Sequence, residues 1–200
     1  MRAKEEHMAL QHHQTITVEE YFQLEEHSEA LFEYVDGYIY AMAGGSANHD
    51  TIKSNLQRIL WGLLRGGSCR AYTSDMKVPV NATRYYHPDV TVTCDSRDRG
   101  TVLALQSPCL VIEVLSPSTE MTDRTRKLRD YCAHPTIQEY LLVDSRAIRA
   151  DLYHKENGKW IFDAFDANDE IVLNHLGVRF LLADAYVDVE FGEAIDGDDE

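Results

Sequence analysis

The segment CLVIEVLS, residues 109–116, is almost unbroken apolar sequence with one carboxylate, Glu113, in its middle. A run of that composition predicts a strand covered on both faces, as in the centre of an α/β sheet. An ionised carboxylate in such a place costs several kcal/mol unless positive charge meets it. A divalent cation supplies that charge better than any side chain; an arginine does so if Glu113 lies at a strand end. The fold has to bring one or the other to the middle of its sheet.

Asp89 is the second carboxylate of interest. It follows Pro88 and opens DVTVTC, in which Val90 and Val92 alternate with Thr91 and Thr93, the period of a strand with two unlike faces. An acid at the start of that strand can face one in the middle of its neighbour. Two hard oxygen ligands converging in this way suit Mg²⁺ or Mn²⁺, which keep several waters for chemistry. A lone Pro-Asp, by contrast, is ordinarily a turn.

The rest of the chain predicts the scaffold. Thr17 and Glu20 have capping-box spacing ahead of a short helix, TVEEYFQLEEH. LFEYVDGYIYAMA alternates around Asp36-Gly37, a hairpin signal that puts Glu33 on the first of two antiparallel strands. Ser46 caps a longer helix whose Ile52, Leu56, Ile59, Leu60 and Leu63 make one apolar stripe. Strands are expected at CRAYTS, MKVPV and DVTVTC, then at CLVIEVLS. A helix follows from about Thr122 to His134, stopped by Pro135, and then the strand EYLLVD. The end of the chain, including a hairpin at Asn157-Gly158 and the stretch Tyr186 to Phe191, reads as β-rich. The expected class is α/β, a mixed sheet flanked by helices with additional hairpins. Residues 1–14 and 193–200 read as tails, leaving one domain over 15–192.

Composition narrows the function classes. No stretch approaches the roughly 20 apolar residues of a membrane span, and no charged and apolar leader opens the chain, so a cytoplasmic location is expected. The four cysteines show no CxxC spacing and read as buried thiols in a reducing compartment rather than zinc ligands or a disulfide framework. A formal charge of −15 repels polyanions at long range, which stands against a nucleic-acid substrate.

The combination YYHPDVTV, then 24 positions from Asp89 to Glu113, then LVIEVLSPST and DRTRKLRDY, resembles the Uma-type restriction-endonuclease family, a branch of the PD-(D/E)XK nuclease superfamily. FEYVDGYIYAMAGGSANHDTI and EYLLVDSRAIRADLY extend the likeness over about Thr15 to Glu190. The resemblance implies a restriction-endonuclease-like fold and metal-dependent hydrolysis of phosphodiesters, DNA foremost, by a homodimer. It maps the PD aspartate to Asp89 and the second acid to Glu113, both on Mg²⁺ or Mn²⁺. The superfamily's usual lysine position, residue 115, holds Leu115, a departure. In the branch this chain is similar to, the lysine comes from the following helix and corresponds to Lys127. An early-strand glutamate of the family matches Glu33, as a further ligand or a support.

Other features carry less. Asp75-Met76-Lys77 spells D-x-K but precedes Pro88-Asp89; Asp75 is read as a support near the site and Lys77 as an exposed strand residue. His49 is read as a packing or capping residue, and His7, His12 and His13 as bystanders in a tail. Gly44-Gly45-Ser46 lacks the lysine of a P-loop. Ser116, Ser118 and Thr119 sit in a Ser-Pro turn with no nucleophile elbow around them. Against the nuclease stands one alternative of another class, a non-catalytic module that keeps the fold and binds a protein or small ligand, favoured by the net charge.

Overall fold

The computed structural model describes residues 15–42 and 44–191; the two expected tails lie outside these residues, as do His7, His12 and His13. Helix α1 (Val18–His27) starts at the Thr17 capping box, with both reciprocal bonds formed. Strands β1 (Phe32–Val35) and β2 (Tyr38–Ala41) follow, joined by Asp36 and Gly37 at φ +50° and +96°, the left-handed values of a tight hairpin turn. Helix α2 (Ala47–Leu63) is capped by Ser46, whose hydroxyl accepts from the His49 N–H. Its buried stripe is Ile52, Leu56 and Leu60; Leu63, expected on that stripe, is 44% exposed, because Leu64, four residues on from Leu60, continues the stripe into the core in its place.

Strands β3 (Arg70–Thr73), β4 (Val78–Asn81), β5 (Arg84–Tyr86), β6 (Val90–Thr93) and β7 (Pro108–Leu115) come next. The α-helical Glu120–Thr122, the π-helical Asp123–Lys127 and the α-helical Leu128–Ala133 run on as one helix, α3 (120–133). Strands β8 (Glu139–Asp144), β9 (Arg149–Glu156), β10 (Lys159–Asp166), β11 (Glu170–Leu173) and β12 (Val178–Leu181) complete the sheets. Tyr186 closes a 3₁₀ turn, Leu182–Tyr186, and the expected strand from Tyr186 to Phe191 is absent. Tyr186, with Ala185 before it, packs against the core from that turn instead.

The large sheet has the order β10-β9-β8-β7-β6-β3, with β7 and β8 parallel and the remaining pairs antiparallel. Helix α3 makes the connection that a parallel pair requires. One face packs on α2, β11 and β12 through Val90, Ile112, Val114 and Leu141. The other face, through Val111, Leu115, Tyr140 and Leu142, packs on Tyr131 of α3 and on Val35 and Tyr86 of a small antiparallel sheet ordered β2-β1-β5-β4. All eight residues of β7 are buried, as its composition predicts. All four residues of β6 are buried too. The alternation of Val and Thr is thus not a division between core and solvent; Thr93 answers its burial by donating to Asp98 Oδ2 at 2.9 Å.

Two cysteines depart from the thiol reading. Arg70 pairs with Thr93 across β3 and β6, so the next step outward sets Cys69 opposite Cys94, and they are joined as a disulfide. Cys109 and Cys132 are free.

Glu139 on β8 is buried, with Oε1 taking the His175 N–H at 3.1 Å and Oε2 without a partner among the described residues. Burial raises its pKa above the ordinary carboxylate value. The folded state then binds the proton more tightly than the unfolded chain, so this residue costs stability as pH rises through its folded pKa. Glu139→Gln is expected to raise the urea midpoint at pH 8 and to change it little below about pH 3, where the carboxyl is protonated in both states.

Candidate active site

Glu113 lies in the middle of β7, and its neighbours on the alternating strand, Ile112 and Val114, point to the α2 side. Its own side chain therefore points to the α3 side, into the seam between the large and small sheets. There Lys127 Nζ stands 3.0 Å from Glu113 Oε1, 2.8 Å from Glu33 Oε1 on β1 and 3.3 Å from Asp123 Oδ1. Tyr131 donates its hydroxyl to Glu113 Oε1 at 3.1 Å, and the Tyr86 ring lies 5.4 Å from the ammonium. The His87 N–H reaches Glu33 Oε1 at 3.4 Å.

Helix α3 delivers Asp123, Lys127 and Tyr131 because they recur at intervals of four, on one helical face. The π-helical stretch has the Leu128 N–H donating to the Asp123 carbonyl, one residue wider than an α-turn. Such bulges are frequent at functional sites, and here two of the helix's three buried charges, Asp123 and Lys127, lie within it, the third, Asp130, following in the α-helical part.

Asp89 belongs to the same region. Val90 pairs with Ile112, so the next register step sets Asp89 beside Glu113. Asp89 Oδ2 accepts the N–H of Val114 at 2.8 Å and lies 3.3 Å from His49 Nε2. Burial works to lower the His49 pKa, but the Asp89 carboxylate beside it, with help from the Val114 backbone, holds it above the ordinary imidazole value. His49 therefore does more than the packing or capping expected of it. Gly45 makes room for it, since a Cβ there would come within 2.6 Å of His49 Nδ1. Gly45→Ala is expected to push the imidazole away from Asp89 and to lower the His49 pKa, as NMR titration of the ring would record.

The charges around Lys127 do not balance. Three carboxylates, Glu33, Glu113 and Asp123, surround one ammonium, and Asp89 adds its own field. Burial raises the pKa of Glu113 well above its ordinary value, Asp89 and Asp123 adding to the rise while Lys127 opposes it. Asp123 is raised by burial as well. For Lys127, burial is outweighed by the surrounding acids, which hold it protonated. Among the described residues, both hydrogen bonds to Glu113 fall on Oε1 and the contacts of Asp89 fall on Oδ2. One oxygen of each acid is thus left over. That donor set fits a hard divalent cation that keeps several waters. No group of three or more His, Cys, Asp or Glu side chains able to hold a metal occurs among the described residues, so water would have to complete the shell.

The remaining sequence candidates fall outside this cluster. Asp75 is exposed in a turn and takes no hydrogen bond from a described residue, so it supports nothing here. Lys77 is not an exposed strand residue: its ammonium pairs with Glu25 of α1, and its side chain is only 13% exposed, because α1 folds over it. His87 is held by the Ser74 carbonyl and Glu25. Ser116 and Thr119 bond each other in the helix entry. Sequence reasoning missed Asp123 and Tyr131, for which the four-residue spacing around Lys127 was a signal, and took His49 for packing or capping alone.

A crystal structure described as that of "a putative nuclease belonging to DUF820 from Anabaena variabilis ATCC 29413" superimposes with a TM-score of 0.71, covering 86% of this chain and 98% of that one. At 20% identity the likeness establishes the fold. In Synechocystis sp. (strain ATCC 27184 / PCC 6803 / Kazusa), "Uncharacterized protein slr1290" is 44% identical over 178 residues, 88% of this chain and 94% of that relative. From the same organism, "Uncharacterized protein sll1609" is 31% identical over 168 residues, 82% of this chain and 95% of that relative. No helix among the described residues is long and apolar enough to cross a membrane. A family model, Uma2, described as "Putative restriction endonuclease", matches residues 18–183, and the chain belongs to that family.

Proposed function

We propose that this protein is a metal-dependent endonuclease that hydrolyses phosphodiester bonds, in DNA foremost, with Asp89, Glu113, Lys127 and Glu33 as its working residues. The observation that carries the reading is the meeting of Lys127 with Glu113 and Glu33 in the seam between the two sheets, beside Asp89. Asp89, Glu113 and the Val114 carbonyl would hold Mg²⁺ or Mn²⁺, which when bound acidifies a water and offsets phosphate charge. Lys127 orients the attacking water and stabilises the charge that grows on the phosphate oxygens. Glu33 holds Lys127, Tyr131 fixes Glu113 through Oε1, and His49 steadies Asp89. Water oxygen bonds to phosphorus, the bond from phosphorus to the leaving sugar oxygen breaks, and that oxygen ends protonated.

Cutting both strands of a duplex takes two such sites, so the reading includes a homodimer. It also places the protein in the cytoplasm, against which the Cys69–Cys94 disulfide counts. The test is incubation of the purified protein with plasmid and oligonucleotide DNA in Mg²⁺ or Mn²⁺. Equal cleavage by wild type and Glu113→Ala overturns the assignment.

The formal charge of −15 favours a second reading, a non-catalytic module that binds a protein or small ligand through the same fold. Calorimetry separates the two: a folded protein with no Mg²⁺ or Mn²⁺ site supports the module.

A further inference from the structure

A chain this acidic cannot draw in a polyanion by its overall field, so any nucleic acid must be held by local contacts. Strand β2 offers such contacts. It is an edge of the small sheet, and its register pairs Tyr38 with Val35 and Tyr40 with Glu33. Paired residues share a face, so Tyr38 and Tyr40 stand on the face that carries Glu33. The Met42 N–H continues the ladder to the Leu31 carbonyl, which puts Met42 on the same face. The opposite face is covered, with Tyr34 stacked on Tyr21 of α1 at 5.1 Å between ring centroids. Tyr38, Tyr40 and Met42 remain 49%, 44% and 36% exposed, a row of open apolar side chains leading up to the cluster at Lys127.

The guanidinium of Arg126 lies over the Tyr40 ring, 5.1 Å from its centroid. Arg126 is the residue before Lys127 on α3, and it differs from the cations around it. Arg124 is held by Glu120 and Asp151, Arg84 by Asp36 and Asp130, Arg129 by Asp130, and Arg146 by Glu120 and Asp144. Among the described residues Arg126 has no acid within ion-pair distance, and its buried Nε has no hydrogen-bond partner. A charge left unspent beside an exposed ring, one residue along α3 from Lys127, is complementary to a nucleotide: the ring takes the face of a base and the guanidinium takes its phosphate.

Resting on the hydrolytic part of the nuclease reading above and not on its duplex-cutting dimer, we propose that Tyr40 and Arg126, continued by Tyr38, form a stacking platform for unpaired nucleotides, so that the preferred substrate is single-stranded or locally unpaired nucleic acid. In a duplex the base faces are hidden and affinity comes from several cations on phosphates. Among the described residues this surface supplies one free guanidinium and two aromatic rings, the reverse of what a duplex demands. Binding by stacking also implies a weak salt dependence. One or two phosphate contacts give a slope of log affinity against log salt of about −0.7 to −1.4 for a single strand.

The experiment is fluorescence anisotropy of the full chain in EDTA, with a 5′-labelled 20-nucleotide single strand and the duplex of the same sequence as probes. Wild type is expected to bind the single strand more tightly than the duplex, with the shallow salt slope. Tyr40→Ala is expected to weaken single-strand binding about 5- to 150-fold, and Tyr40→Phe, which keeps the ring, to stay within about twofold. Arg126→Ala should weaken it too, and Arg126→Lys should restore it only in part, since a lysine keeps the charge and loses the stack. Circular dichroism of each variant checks the fold.

A wild type that prefers duplex or binds neither probe, or a Tyr40→Ala protein that binds like wild type, overturns the platform. So does sedimentation showing that Tyr40→Ala only breaks a dimer, which would make β2 an edge for pairing with a second copy. Because no cleavage occurs in EDTA, the two readings fail separately. Stacking without hydrolysis in Mg²⁺ removes the enzyme and keeps the platform; duplex cleavage undiminished by Tyr40→Ala does the reverse.

Discussion

Replacing Lys127 with methionine is expected to cost about 3–5 kcal/mol of stability at neutral pH, the usual penalty for removing one partner of a buried ion pair. The substitution keeps most of the side chain's length and leaves Glu33, Glu113 and Asp123 facing one another with no cation among them. The loss carries a pH signature. Glu113 and Asp123 are raised by burial in the wild type, and removing the ammonium raises them further. A carboxyl whose folded pKa exceeds its unfolded value of about 4 favours folding when protonated and opposes it as pH rises through the folded pKa. The gap in urea midpoint between wild type and Lys127→Met is therefore wide at pH 8 and narrows toward pH 4. A gap that is small and flat with pH would show that Lys127 does not neutralise these acids. Cleavage should fall with the substitution by about 10²- to 10³-fold.

Glu113→Gln is expected to separate activity from stability. It removes one of three carboxylates around Lys127, leaving Glu33 and Asp123 to hold the ammonium, and relieves a buried charge that is costly where it stands. Cleavage should fall by about 10²-fold or more, while the urea midpoint stays level or rises. Residues kept for chemistry at the expense of the fold behave in this way. If Glu113→Gln instead lowers the urea midpoint and the folded variant cleaves at the wild-type rate, Glu113 is a structural partner of Lys127 and nothing more.

How far the sequence could be read depended on whether the determining contacts were local. The Thr17 capping box and the two turns at Asp36-Gly37 and Asn157-Gly158 are set within a few residues, and they stand where the pattern predicts. The run around Glu113 was legible for a different reason, since burial on both faces of β7 is written into its composition. Strand β5, three residues long, has no period to detect. The cross-strand facts were harder still. That Cys69 meets Cys94, and that Asp89 docks on the Val114 N–H, follow from register between distant segments, which spacing along the chain does not encode. Resemblance supplied Lys127 and Glu33, which on residues alone are one charge in a basic helix and one acid on a short strand. Asp123 and Tyr131 were open to detection at steps of four from Lys127 and were passed over. His49 looked like a helix-start residue because its ring's partners, Asp89 and the Val114 backbone, are about 40 and 65 positions away.

The widened turn of α3 has a consequence for how this segment can vary. Asp123 and Lys127 share a π-helical stretch, with Tyr131 one further turn along. Losing a single residue between 123 and 127 would let the backbone relax into a regular α-helix, and each residue of such a helix turns about 100°. Asp123 and Lys127 would then stand three residues apart and offset by about 60° around the helix, so the two could no longer both keep their present places beside Glu33 and Glu113. Exchanges at Arg124 or Thr125 should thus be far better tolerated than a one-residue deletion beside them, so that the stretch is constrained in its length more tightly than in its letters.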